Sequence, residues 1–179
     1  QSDAYTTGRR SAEGAGINVD LAAGKASTYY LSATAFTWAD ANGQIALSNI
    51  ENIRGTNQGD QLYGNVNDNR LDGLAGNDIL YGAAGKDTLV GGDGNDTYYV
   101  GYNNDVIDDI IDNNTVGAGS NDIVFSAFSN YTLADNVESL TLLTGAVNGT
   151  GNTGNNTLIG TTASNTLNGG DGDDTLDGG

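Results

Sequence analysis

The sequence predicts an all-β fold: a parallel β-solenoid, or β-roll, of nonapeptide repeats, with two arrays joined by a β-rich spacer. Three observations carry this expectation. A nine-residue period recurs along the chain, each line headed by glycine. Apolar residues come in strand-length runs, and no long stripe of 3.6-residue period appears. Finally, 28 glycines and no proline in 179 residues fit many tight turns between short strands.

Residues 1–54 form the lead-in and cap of the solenoid in this reading. GINVDLA (16–22) and QIALSNI (44–50) alternate apolar and polar residues with period 2, so Val19 and Leu21 share a face. Tyr29, Tyr30, Phe36 and Trp38 cluster between them. Two readings stand for these aromatics, a sugar-stacking platform or packing as an end cap, and the cap is preferred.

The first array occupies residues 55–108. Its lines are GTNQGDQLY, GNVNDNRLD, GLAGNDILY, GAAGKDTLV and GGDGNDTYY, followed by VGYNNDVID, which loses its leading glycine. The sixth places hold Asp60, Asn69, Asp78, Asp87, Asp96 and Asp105, and the eighth places Leu62, Leu71, Leu80, Leu89, Tyr98 and Ile107. Each line divides into a six-residue turn and a three-residue strand whose central residue points inward, so two lines make one coil. Residues 109–150 are the spacer, with strand-like DIVFSA (122–127) and ESLTLL (138–143) between turn clusters, and they are expected to continue the stack with longer turns. The second array, 151–179, reads GNTGNNTLI, GTTASNTLN and GGDGDDTLD, with Asn156, Asn165 and Asp174 at the sixth places.

One buried leucine per line is worth roughly 1.5 to 3 kcal/mol. Fixing the backbone costs about 1 to 2 kcal/mol per residue, so in glycine-rich turns the leucine ladder needs a second stabiliser. Coils stacked about 4.8 Å apart place Asp60, Asp78 and Asp96 in one column and Asn69, Asp87 and Asp105 in another. Like charges at that spacing repel by roughly 3 to 4 kcal/mol per pair at an effective dielectric near 20. A divalent cation between the turns reverses the sign. With no His and no Cys the ligands must be oxygen, and Ca²⁺ accepts six to eight oxygens at about 2.3 to 2.6 Å where Mg²⁺ demands a strict octahedron.

GGDGNDTYY and GGDGDDTLD fit the pattern G-G-x-G-x-D-x-U-x with Tyr98 as the large apolar residue, and GLAGNDILY and GAAGKDTLV miss only the second glycine. By these residues the chain resembles the repeats-in-toxin (RTX) proteins with haemolysin-type calcium-binding repeats. LSNIENIRGTNQGDQLYG (47–64), with GINVDLAAG (16–24) ahead of it, is similar to the lead-in of serralysin-type C-terminal domains, and DTYYVGYNNDVI with NVESLTLL is similar to spacers between arrays of large RTX proteins. The resemblance implies calcium between turns one coil apart. It nominates Asp60, Asp78 and Asp96 on one edge and Asp87 with Asp105 on the other. Carbonyls of Gly73, Ala75, Asn77, Gly82, Ala84, Lys86, Gly91, Asp93 and Asn95 would complete the shells. Asn156 and Asn165 depart from the pattern; stacked asparagines can hydrogen-bond along a column instead, so few or no ions are expected there. Asp174 is expected to pair only with a further coil.

The remaining features exclude more than they suggest. Twenty-three acids against 6 bases give a net charge of −17, which disfavours nucleic acid and anionic membranes as partners. No apolar run is long enough to span a bilayer. No nucleophile is paired with a base, and carboxylates that chelate calcium are lost to acid–base work, so no catalytic residue is expected. Asp108, Asp109 and Asp112 read as a solvated acidic run, Asp68 as a charge near a site or else a carbonyl ligand or a plainly exposed residue, and Arg54 and Arg70 as surface ion pairs. The chain opens at Gln1 with no signal-like region and stops in mid-repeat at Gly179, which suggests a piece of a longer protein. Two functions follow. One is a calcium-folded structural module of a secreted or cell-surface protein (surface layer, adhesin or filament), exported by type I secretion and able to stack end to end or on neighbouring repeats. The other is the non-catalytic C-terminal module of a secreted hydrolase or polysaccharide-modifying enzyme. Polysaccharide binding has no support in the sequence.

Overall fold

The computed structural model describes residues 6–7, 17–20, 25–28, 45–46, 51–101, 109–111 and 121–179. The lead-in strands are β1 (Thr6–Thr7), β2 (Ile17–Asp20), β3 (Lys25–Thr28) and β4 (Ile45–Ala46). Tyr29, Tyr30, Phe36 and Trp38 lie outside the described residues. From there on, strands alternate between faces. One face takes β5 (Asn52–Arg54), β7 (Arg70–Ala75), β9 (Thr88–Asp93) and β11 (Asp109–Ile111), and then β13 (Asn130–Thr132), β15 (Asn148–Thr150) and β17 (Thr166–Asn168). The other takes β6 (Gln61–Tyr63), β8 (Ile79–Tyr81), β10 (Thr97–Val100), β12 (Ile123–Ser126), β14 (Ser139–Leu142), β16 (Thr157–Ile159) and β18 (Thr175–Asp177).

Pairing makes the solenoid explicit. The sheets run β1-β5-β7-β9-β11, then β13-β15-β17, and a ten-stranded β18-β16-β14-β12-β10-β8-β6-β2-β3-β4. Every pairing between coils is parallel, and only β2–β3 and β3–β4 are antiparallel, at the lead-in. No helix occurs among the described residues. The fold is therefore the parallel β-roll that the repeat period predicts.

The eighth-place residues stack into the core: Leu62 faces Leu80, Leu80 faces Tyr98, and Ile53, Leu71 and Leu89 line up opposite them. All are buried. Two corrections to the nine-residue frame follow from register. Ile110, not Ile107, pairs with Leu89, at a separation of 21 residues where the frame allows 18. Tyr98 next meets Val124, 26 residues on, and Val124 meets Leu140 only 16 further, before Leu140, Leu158 and Leu176 restore the 18-residue coil. Inward positions are conserved in space while loop length is not, because burying the ladder fixes register and a solvated turn does not.

An aromatic ladder runs along the outer side of the ten-stranded sheet. Tyr63, Tyr81, Tyr99 and Phe125 have successive ring centroids 6.0, 6.2 and 5.0 Å apart. Tyr99 and Phe125 stack face to face at 11°, while the tyrosine pairs are tilted by 40° and 44°, and both arrangements support neighbouring strands.

Candidate calcium sites

The six-residue turn brings each sixth-place side chain back under its own glycine. Asp60, Asp78, Asp87 and Asp96 expose 1% or less of their surface, an extreme burial for carboxylates. Asp60 holds the Thr56 amide of its own turn, and Asp78, Asp87 and Asp96 are each tied to the preceding coil by one oxygen. The Asp60 amide donates to Asp78 Oδ1 at 2.7 Å, the Asp78 amide to Asp96 Oδ1 at 2.8 Å, and on the other edge the Asn69 amide donates to Asp87 Oδ1 at 2.7 Å. The second oxygens of Asp78 and Asp96 are buried without a hydrogen-bond partner. Leaving such an acceptor unsatisfied is costly, more so for a charged group.

Glycine at the first place leaves room for those oxygens. A Cβ on Gly73 would run into Asp78 Oδ2 and come within 2.8 Å of the Gly91 carbonyl. A Cβ on Gly91 would strike Asp96 Oδ2 and the Tyr98 hydroxyl, and one on Gly55 would strike Asp60 Oδ2 and lie 2.7 Å from the Gly73 carbonyl. A sixth-place carboxylate thus shares its cradle with a first-place carbonyl one coil on. On the second edge the Gly82 carbonyl and Asn69 Oδ1 crowd Gly64 in the same way.

The other nominated residues fall in the turns. The Asn77 carbonyl lies 2.7 Å from where a Cβ of Gly59 would stand. Ala84 N donates to Asn65 O at 3.1 Å, and the contact from Ala75 N to Thr56 O is 3.5 Å. The Asp93 carbonyl already accepts the Gly76 amide at 2.8 Å, leaving one lone pair. Fifth-place side chains form a second ladder of opposite direction: Asn77 Oδ1 accepts the Asn95 amide at 3.0 Å, and Asp68 Oδ1 accepts the Lys86 amide at 2.9 Å. Asp68 is therefore a turn brace. Asp105 lies outside the described residues.

Electrostatics sharpen the picture. Burial, with the charges of Asp96, Asp60 and Asp72 behind it, pushes the Asp78 carboxyl up to about 8 despite the Asp60 amide. Burial and the charges of Asp122 and Asp93 raise Asp96 to about 6, against the opposing pull of the Asp78 amide. Both groups are held where ionisation is unfavourable and a bound cation would reverse the balance. Among the described residues no three acidic side chains converge on one point, so an ion here would take one or two carboxylates and fill its shell with carbonyls. Calcium tolerates such a mixed oxygen set. Asp78, Asp96 and the first-place carbonyls fit that ion.

Two members of the column escape the nine-residue frame. The Asp96 amide donates to Asp122 Oδ1 at 2.6 Å, and the Asp122 amide to Glu138 Oε2 at 2.8 Å. Burial raises the Glu138 carboxyl as well. A signal existed in the sequence: Asn121-Asp122-Ile123-Val124 repeats the order of Asn95-Asp96-Thr97-Tyr98, and the Asn121 amide donates to Asn95 Oδ1 at 3.1 Å as the ladder requires. In the second array Asn156 and Asn165 take the sixth places. Asp174 Oδ1 accepts the Asn156 amide at 2.9 Å, so it is engaged with the preceding coil, where the sequence pattern looked only to a following one.

Fold and column together define a calcium-binding β-roll module. The chain matches the RTX calcium-binding nonapeptide repeat family in four copies, over residues 47–80, 63–98, 73–107 and 150–179, which jointly span more than half of it. It belongs to that family, whose repeats bind calcium ions. No curated protein matches the chain. Among the described residues no helix is long and apolar enough to cross a membrane.

Proposed function

We propose that the chain is a calcium-folded, non-catalytic structural segment of a secreted or cell-surface protein. Asp78 carries the reading: a carboxylate almost wholly buried, one oxygen bound to the neighbouring coil and the other without a partner in a glycine cradle. Asp60, Asp78 and Asp96 on one edge and Asp87 with Asp105 on the other supply the side-chain ligands. The carbonyls of Gly73, Ala75, Asn77, Gly82, Ala84, Lys86, Gly91, Asp93 and Asn95 complete the shells. Residues 1–54 lead in and cap, 55–108 bind calcium, 109–150 space the arrays and 151–179 extend the stack.

The function follows from linkage. Calcium that binds only the folded form adds RT ln(1 + [Ca]/Kd) per site, about 2.7 kcal/mol when calcium exceeds Kd a hundredfold. Millimolar external calcium then folds a chain that a calcium-poor cytosol leaves loose, as export in an unfolded state requires. A rigid rod of this kind suits a surface layer, adhesin or filament, with end-to-end stacking as its mode of assembly. Circular dichroism tests the coupling. In EGTA the first array should lose β signal and regain it at millimolar calcium; unchanged β content in chelator would overturn the proposal.

A further inference from the structure

In the fourth matched copy, 150–179, two of the three sixth places hold asparagine, Asn156 and Asn165, and only Asp174 keeps the carboxylate of a calcium-binding line. The difference lies in the direction of the asparagine amides. Asn156 Oδ1 accepts the Asn152 amide at 2.7 Å, and Asn165 Oδ1 accepts the Thr161 amide at 2.6 Å. With the oxygen committed, the amino end must face the preceding coil. Asn156 Nδ2 donates to the Val137 carbonyl at 3.2 Å, and Asn165 Nδ2 to the carbonyls of Ala146 at 3.2 Å and Val147 at 3.3 Å. Val137 and Ala146 stand immediately before the column position of their coils, as Asn77 and Asn95 do in the first array. Asn152 Nδ2 reinforces the contact, donating to the Ala134 carbonyl at 2.7 Å and the Val137 carbonyl at 2.8 Å.

We infer that the asparagine amides of the second array take the bridging place that a cation takes in the first, so that this copy folds without metal. Each Nδ2 hydrogen carries partial positive charge to a carbonyl one coil away and asks for no carboxylate and no ion. Where the first array keeps the unpartnered oxygens of Asp78 and Asp96, the second has its amide groups bonded at both ends. Asn69 repeats the arrangement inside the first array: its Oδ1 accepts the Asn65 amide at 2.7 Å and its Nδ2 donates to the Glu51 carbonyl at 3.2 Å. The core continues from the first array into this end, with Tyr131, Leu133, Val137, Leu140 and Leu142 of the spacer and Leu158 of the copy all buried and Leu167 packed against them. In stacked repeats each coil leans only on its neighbours, so this end can hold while the other loosens. The chain then carries a preformed seed on which the calcium-dependent coils assemble.

The inference rests on the proposed calcium role of the first array, and one experiment separates the two. Hydrogen exchange of the full chain, read by mass spectrometry in EGTA and in millimolar calcium, should leave β14, β16 and β17 protected in both conditions, while β6, β8 and β10 gain at least tenfold protection with calcium. Loss of protection across 150–179 in EGTA, in parallel with the first array, would overturn the inference. Protection of both arrays in EGTA would overturn the proposed function and still support it. Asn156→Asp is the second arm: removing the amide donor should make protection of 150–179 depend on calcium, and a variant as well protected in EGTA as the parent would count against the amide's role.

Discussion

The two arrays hold the same nine-residue line and the same parallel strands with opposite chemistry at one position. In the first, Asp78 and Asp96 are buried carboxylates with one satisfied oxygen each; in the second, Asn156 and Asn165 fill both ends with hydrogen bonds to backbone. Leucine burial is the same at Leu80 and Leu158 and thins out only toward the end of the second array, where Leu176 is exposed. What differs is whether the turns close by themselves. On the proposed reading, a carboxylate column closes when a cation or a proton neutralises it, and an amide column closes without either. The difference of one oxygen for one nitrogen decides which coils are conditional.

Filling a cradle should have the largest effect. Gly73→Ala drives a methyl group into Asp78 Oδ2 and toward the Gly91 carbonyl, so overpacking of about 1 to 3 kcal/mol adds to the loss of a site. Titration calorimetry should show fewer calcium ions bound, and thermal melting a lower midpoint with calcium present. Next comes Asp78→Asn, which turns a first-array rung into a second-array one. The midpoint should fall in calcium, by about 2.7 kcal/mol of lost linkage at a hundredfold excess over Kd, and rise in EGTA because a buried charge is gone. A fall in both conditions would break the comparison.

Acidity acts on the same groups with a definite sign. The folded carboxyls of Asp78, near 8, and Asp96, near 6, lie above the ordinary 3.8, so the folded form holds protons that the unfolded chain has released. Stability in EGTA should therefore decline as pH rises from about 4 to 8, and calcium affinity should climb over that window because the ion displaces those protons. Urea melts at several pH values, with and without calcium, read both trends. The smallest effect belongs to the second place of the line. Gly92 and Gly170 adopt positive φ there, while Leu74 (φ 82°) and Ala83 (φ 80°) are forced into the same left-handed region. Ala83→Gly removes strain of about 1 to 2 kcal/mol but adds unfolded-chain entropy, for a net gain of roughly 0.5 to 1 kcal/mol in a denaturant melt.

Wherever the period is strict, local sequence was enough. The glycine-headed lines placed a leucine or Tyr98 inward and an Asp or Asn in the turn, and Asp60, Asp78 and Asp96 stand in one hydrogen-bonded column because eighteen residues make one coil. The frame failed where coils change length. Asp122 and Glu138 joined the column outside the nine-residue frame, Asp122 announced only by the local order Asn-Asp-Ile-Val, and Ile110 displaced Ile107, since separations of 26, 16 and 21 residues between stacked partners keep no fixed period. Strands β13 and β15 were missed for a related reason: Asn130–Thr132 and Asn148–Thr150 carry little apolar signal, and only pairing with β17 makes them strands.

Composition and order by themselves determined that any metal must be held by oxygen, that the strands are short, and that the sixth place of each line holds Asp or Asn, because those are properties of residue type and order. Tertiary structure alone decided which oxygens stay unpartnered and which amide ends face a carbonyl. Those outcomes depend on a neighbour eighteen residues away, brought within hydrogen-bonding distance by stacking, and no local preference of the chain encodes the direction in which an asparagine turns.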